Sequence, residues 1–203
     1  MTVTELTEDA SVFTSNVFVV PGDRTTLVDA GAMPGVVDAI GAHVSSLDAV
    51  VVTHQHADHV DRLDDVVAAF DPAVLAAADH PHRTRSLADG DVVRIGGEDF
   101  DVVATPGHAD DHLAFVSETT LFSGDLVVYE DEAYSGGSFG RTDLAGQSRE
   151  TLVESIETLS DRVPDTVEAI HPGHGPSHAG DVHDVLVRAL ERASRGEPKY
   201  PGE

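Results

Sequence analysis

Short apolar runs separated by turn residues dominate the chain, and most are of strand length. Val12–Val20 and Thr25–Val28 read as a hairpin across Pro21-Gly22-Asp23, where proline presets one turn angle and glycine frees another. Val36–Val44 has apolar residues at helical spacing, and Ala49–Val52 is an apolar run that fits a buried strand. Val60–Phe70 returns to helical spacing, with Leu63, Val66, Val67 and Phe70 on one face. Ala73–Ala78 then reads as a strand, Asp91–Ile95 and Phe100–Ala104 as a hairpin about Gly96-Gly97-Glu98-Asp99, and Leu113–Val116 with Thr120–Phe122 as a further pair. Residues 129–147, rich in glycine, serine and acid, show no period and read as an active-site loop. Ser148 is the expected N-cap of a helix to Leu159, Thr166–Ile170 the last strand and Asp181–Arg195 a closing helix, with a mobile tail beyond Gly196. The class is α/β, and the expectation is a single domain over 1–203 with its core at about 12–190.

Composition sharpens this picture mainly through charge. The 203 residues are 40% hydrophobic, enough for a full core, but 37 Asp and Glu stand against 12 Lys and Arg, a formal net charge of −25. Such a field repels phosphate polyanions and argues against a nucleic-acid surface. It also destabilises a compact chain unless salt screens it, so a halophilic protein in a high-salt cytoplasm is expected; Lys199 is the only lysine. No cysteine is present, so any metal is held by His, Asp or Glu. The opening MTVTELTEDA lacks the basic and apolar regions of a signal peptide, and no stretch approaches a membrane span. The expectation is a soluble, cytoplasmic protein, monomer or homodimer, with a small-molecule substrate and no membrane partner.

The candidate chemistry sits where strands end. Asp29, His54, His108, Asp125 and His174 each follow a strand, which would bring them to one rim. The densest stretch is Ala49–His59, AVVVTHQHADH, where a strand runs straight into His54, His56, Asp58 and His59. Alternation along an extended segment puts His54 and His56 on one side, able to share an ion. Asp58 and His59 come after the chain has begun to turn and suit a second ion. Imidazole and carboxylate together suit zinc, iron or manganese. Two ions bridged by a carboxylate, a role that suits Asp125, make a hydrolytic centre. His112 and His171 read as hydrogen-bonders that orient ligands, while His80, His82, His178 and His183 read as solvated. Tyr129 and Tyr134 could reach the site or pack, and Arg141 with Asp143 reads first as an ion pair pinning the long loop.

Thr53-His54-Gln55-His56-Ala57-Asp58-His59, Pro106-Gly107-His108, Ser123-Gly124-Asp125 and Pro172-Gly173-His174-Gly175 together resemble the metallo-β-lactamase superfamily over roughly residues 12–190. The resemblance implies an αββα sandwich with metals at one edge. It implies that His54, His56 and His108 bind a first ion, that Asp58, His59 and His174 bind a second, and that Asp125 bridges while Asp29 supports from behind. The expected cofactor is two Zn²⁺ per chain, with Fe or Mn as alternatives. The motifs THxHADHV, TPGH and HPGHGP resemble the glyoxalase II branch of thioester hydrolases, and Phe139-Gly140-Arg141-Thr142-Asp143 resembles a loop of compact glyoxalase-II-like hydrolases and of persulfide dioxygenases. Only 29 residues follow His174, fewer than the helical thiol-binding domain of authentic glyoxalase II needs, so thioester chemistry is the expectation and glutathione specificity is not. The implied reaction is attack of a metal-bound hydroxide, oriented by Asp58, on a thioester or ester carbonyl. The alternatives are a mononuclear iron persulfide dioxygenase using His54, His108 and Asp125, and a nuclease or phosphodiesterase of the same superfamily, which the acidic charge disfavours.

Overall fold

The computed structural model describes residues 1–196 and Lys199. They fall into two compact units, Met1–Phe100 and Asp101–Glu203. The first unit contains, in order, β1 (Thr4–Glu5), β2 (Phe18–Val20), β3 (Thr26–Val28), α1 (Val36–His43), β4 (Ala49–Val51), α2 (Ala57–Val60), α3 (Leu63–Phe70), β5 (Ala73–Ala76), β6 (Arg83–Ser86) and β7 (Val92–Ile95). Its sheet runs β1-β2-β3-β4-β5-β6. The first three strands are antiparallel neighbours, and β3 to β6 are parallel. Parallel strands are buried on both faces, which is why β4 reads as an unbroken apolar run. Val36 and Ile40 of α1 and Leu63 and Val66 of α3 close over Val50, Val52 and Val74 to form this unit's core.

The division falls within β8 (Glu98–Ala104). The second unit continues with β9 (Leu113–Val116), β10 (Thr120–Gly124), β11 (Val127–Glu130), β12 (Ser135–Phe139), α4 (Arg149–Arg162), β13 (Ala169–Pro172), β14 (His178–Ala179) and α5 (Val182–Ser194). The sheet order is β14-β13-β10-β9-β8, and β11 pairs β12 as a separate antiparallel ribbon. Leu152, Ile156 and Leu159 of α4 and Val185, Leu186 and Ala189 of α5 pack with Ala114, Leu121, Val127 and Phe139 in a second core. Each fully buried Val, Leu, Ile or Phe side chain here contributes about 1.5–3 kcal/mol.

Several boundaries move from those expected. Residues 12–17 carry no strand, and β2 begins only at Phe18, because this segment is spent on loop contacts: Ser15 N donates to the Asp58 carbonyl at 3.0 Å and Thr14 Oγ accepts from Ala32 N at 2.7 Å. The helix expected from Val60 to Phe70 is two helices, with Asp58 and His59 on the short turn of α2. The stretch 129–147 is not one loop: β12 and the end of β11 lie within it, on glycine- and serine-rich sequence with no strand signature. β1, β6 and β14 were not foreseen; none carries a buried apolar residue. Ser148 caps α4 as expected, its side chain accepting from Thr151 N. The mobile tail was expected beyond Gly196; residues 197, 198 and 200–203 lie outside the described residues, whereas Lys199 is described and its side chain is buried. Among the described residues no helix is long and apolar enough to cross a membrane.

Candidate metal centre

In the first unit, β3 and β4 run parallel, so Asp29 and the His54–His59 segment leave the sheet at the same edge. Asp29 adopts a left-handed backbone, φ 58°, and is almost completely buried. Its carboxylate accepts from Thr53 N at 2.8 Å, Thr53 Oγ at 2.7 Å and His59 Nδ1 at 2.8 Å. Asp29 therefore does not face a ligand position; it organises the residues that do. The turn of α2 is held from the same side, Ala30 N and Gly31 N both donating to the His59 carbonyl at 2.9 Å.

These bonds dictate which imidazole nitrogen faces outward. With Nδ1 of His59 donating to Asp29, the neutral ring presents its Nε2 lone pair, 3.9 Å from Asp58 Oδ2. Thr53 Oγ has given its hydrogen to Asp29, so it accepts from His54 Nδ1, 3.2 Å away, and His54 presents Nε2. That Nε2 lies 3.0 Å from His56 Nδ1, the pairing expected from residues two apart on an extended segment.

In the second unit, β13 is parallel to β10, and β8 and β10 both run antiparallel to β9. The C-terminal ends of β8, β10 and β13 thus share one edge, and His108, Asp125 and His174 follow those ends. His108 Nδ1 lies 2.9 Å from the Arg141 carbonyl oxygen; a carbonyl only accepts, so Nδ1 carries the hydrogen and Nε2 is the lone pair. Asp125 Oδ2 stands 3.4 Å from His108 Nε2 and 3.4 Å from His174 Nε2. His112, fully buried, accepts from Asp125 N at 2.9 Å through Nε2 and donates from Nδ1 to Thr105 Oγ at 2.7 Å, so it orients Asp125. Two glycines permit the close approaches. At Gly107 (φ 129°) a Cβ would lie 2.4 Å from Leu152 N at the start of α4, and at Gly140 it would lie 1.9 Å from the Asp125 carbonyl oxygen and 3.0 Å from His108 Nδ1.

The donor sets fit metal. In each unit an imidazole lone pair is turned, by hydrogen bonding at its other nitrogen, toward a carboxylate oxygen. Acceptor facing acceptor requires a proton or a cation between them, and an all-nitrogen and oxygen set of this kind suits zinc, iron or manganese.

The remaining candidates divide. His171 accepts or donates at Ser177 Oγ, 2.9 Å away, and burial pushes its pKa down to about 4; it lies on β13 as a packed, neutral ring against Phe122. Arg141 grips Asp143 in a bidentate pair at 2.8 and 2.7 Å that holds the Asp143 carboxyl below its usual range. Tyr129 stacks on His178 at 4.0 Å, and Tyr134 packs beside Phe139 and under Arg192. His82 pairs with Asp64, and burial lowers the pKa of its neighbour His80. Sequence reasoning missed Thr53 and the Arg141 carbonyl; the first had a signal in the hydroxyl adjoining His54, the second, a main-chain atom, had none.

The profile of the metallo-beta-lactamase superfamily matches residues 10–174. The chain belongs to this superfamily. Within it the chain is 34% identical over 149 residues to the hydroxyacylglutathione hydrolase of Aliivibrio fischeri strain MJ11, covering 72% of this chain and 55% of that enzyme, which places it in the glyoxalase-II-like branch of the metallo-β-lactamases. The chain spans about half the length of the curated relatives it matches. ETHE1 from Myxococcus xanthus shares the metallo-β-lactamase fold, with a TM-score of 0.74, 22% identity, and coverage of 98% of this chain and 93% of that one. TTHA1623, solved in a di-iron-bound form, is 28% identical with a TM-score of 0.64, covering 91% of this chain and 94% of that one.

Asp29→Asn tests the supporting role. Asparagine tolerates the left-handed backbone but cannot accept from all three donors, so His59 loses its charged partner. We expect metal affinity to fall about 10- to 100-fold and stability by about 2–3 kcal/mol. Chelator competition and thermal unfolding measure both; an unchanged affinity would remove Asp29 from the site.

Proposed function

We propose that this chain is a metal-dependent hydrolase of a small thioester or ester, built on a single αββα domain in which His54, His56, Asp58, His59, His108, Asp125 and His174 form one dinuclear centre. The reading is carried by the matched donor sets: each unit turns imidazole lone pairs and carboxylate oxygens to one sheet edge through buried hydrogen bonds. His54, His56 and His108 would hold one ion, Asp58, His59 and His174 the other, and Asp125 both. When bound, such a pair supplies a water-derived nucleophile near neutral pH and electrostatic stabilisation of the developing oxyanion. Asp58, half-buried, orients the attacking water and takes up its proton. Asp29 and Arg141 keep His59 and His108 in the tautomers the site needs. A thiolate leaves without a strong general acid, because its pKa is already low.

The relatives named hydroxyacylglutathione hydrolase support a thioester substrate, and the di-iron form of TTHA1623 supports two ions with iron as an alternative to zinc. We place the enzyme in a salt-rich cytoplasm on the strength of its charge. A mononuclear iron oxygenase acting on a persulfide would use His54, His108 and Asp125 alone.

Elemental analysis of the protein purified from its native host, combined with thioester hydrolysis and dioxygen uptake, tests the proposal. We expect two ions per chain and hydrolysis without oxygen uptake. One tightly held iron with oxygen consumption, insensitive to loss of Asp58 or His174, would overturn it.

A further inference from the structure

Lys199, the chain's only lysine, has a side chain just 2% exposed. Its ammonium donates to Asp131 Oδ2 at 2.6 Å and to the carbonyl oxygen of Phe139, and lies 4.8 Å from the centroid of the Phe139 ring. Arg149 sits over the same ring at 4.3 Å. Asp131 is the hub of the β11–β12 turn, accepting from Ala133 N and Tyr134 N at 2.9 Å and from Ser138 Oγ at 2.7 Å. Burial pushes the Lys199 ammonium down in pKa, and Asp131 opposes it. Burial also pushes the Asp131 carboxyl up, but Lys199 and the hydrogen bonds outweigh that and hold it below its usual range. A buried ammonium persists only where it is paired and hydrogen-bonded, and here both partners belong to the β11–β12 ribbon.

What Lys199 grips is the peptide joining Phe139 to Gly140. Gly140 rests against the Asp125 backbone and the His108 ring so closely that no side chain fits, and its N–H donates to Leu126 O at 3.3 Å. One residue on, the Arg141 carbonyl accepts from His108 Nδ1. We propose that Lys199 is a positioning residue: by holding the Phe139–Gly140 peptide it keeps the Arg141 carbonyl where it fixes the His108 ring, coupling the C-terminal segment to the metal-binding edge of the second unit. The importance of this coupling rests on His108 being a metal ligand; the contact itself does not.

The test uses the full-length chain. In the metal-free protein, exchange of the His108 Nδ1 proton with water is followed by NMR, with the His112 Nδ1 proton, donated to Thr105, as an internal control. In Lys199→Met we expect the His108 proton to exchange at least about tenfold faster, or to vanish, while the His112 proton is unmoved. Unchanged exchange at His108, or equal acceleration at both rings, would overturn the proposal, the latter because it reports general loosening. A second measurement needs no variant. Coupling is reciprocal, so zinc should slow amine-reactive labelling of Lys199 by about fivefold or more. If Lys199→Met fails to fold, the labelling decides alone, and equal rates with and without bound zinc would overturn the idea. Because the proton exchange is read without metal or substrate, failure of the hydrolase reading leaves that result standing.

Discussion

Asp125→Asn is expected to strip both ions from the protein and to cut thioester hydrolysis about a thousandfold or more. A single carboxylate oxygen lies 3.4 Å from an imidazole nitrogen on each side, His108 and His174, so on the proposed assignment it touches both ions and offsets charge for both. Asparagine keeps the shape and leaves the main-chain bond to His112 in place, which isolates the loss of charge. Asp58→Ala, His59→Ala and His174→Ala each remove a ligand from one ion only, and each variant should retain one metal. Metal content and hydrolysis measured across the four variants check the ranking. An Asp125→Asn protein with both metals and near-normal hydrolysis would show that the site is not bridged in this way.

Removing salt is expected to destabilise the protein by a few kcal/mol. The chain carries −25 net, and cations on its surface are committed locally: Arg62 to Asp65, Arg94 between Asp23 and Asp99, Arg188 to Asp184. Exposed pairs of this kind contribute at most about 1 kcal/mol each, so most carboxylates face one another across the surface uncompensated. Their repulsion reaches about 10 Å in 0.1 M salt and about 3 Å in 1 M. Relief of a few kcal/mol raises the unfolding midpoint by about 2–4 °C per kcal/mol in a chain of this length, so the midpoint should climb by roughly 10 °C between dilute buffer and molar KCl. Calorimetry across that range is the check. A constant midpoint would sink the salt argument and leave the metal assignment untouched.

The residue types of the proposed ligands, their order and most of the elements that deliver them were legible in the amino acids alone. Ala49–Val52 reads as a buried strand because an unbroken apolar run suits a position covered on both faces, and the observed β4 is Ala49–Val51; the extended segment after it puts His54 and His56 on one side. Ser148 announced α4 by its hydroxyl alone. Pattern failed where the stabilising partner is remote in sequence. β12 forms on glycine and serine because its partner is β11 and because α5 covers it, Arg192 donating to the Ser135 carbonyl at 3.1 Å. Asp58 and His59 sit on a helical turn, not a loop, and Ala30 and Gly31, in the segment that follows β3, hold that turn by binding the His59 carbonyl. The tautomer of each ligand was equally out of reach. It is decided by what the second ring nitrogen meets, Asp29 for His59 and a main-chain carbonyl for His108, and those meetings exist only once segments distant in sequence are folded together.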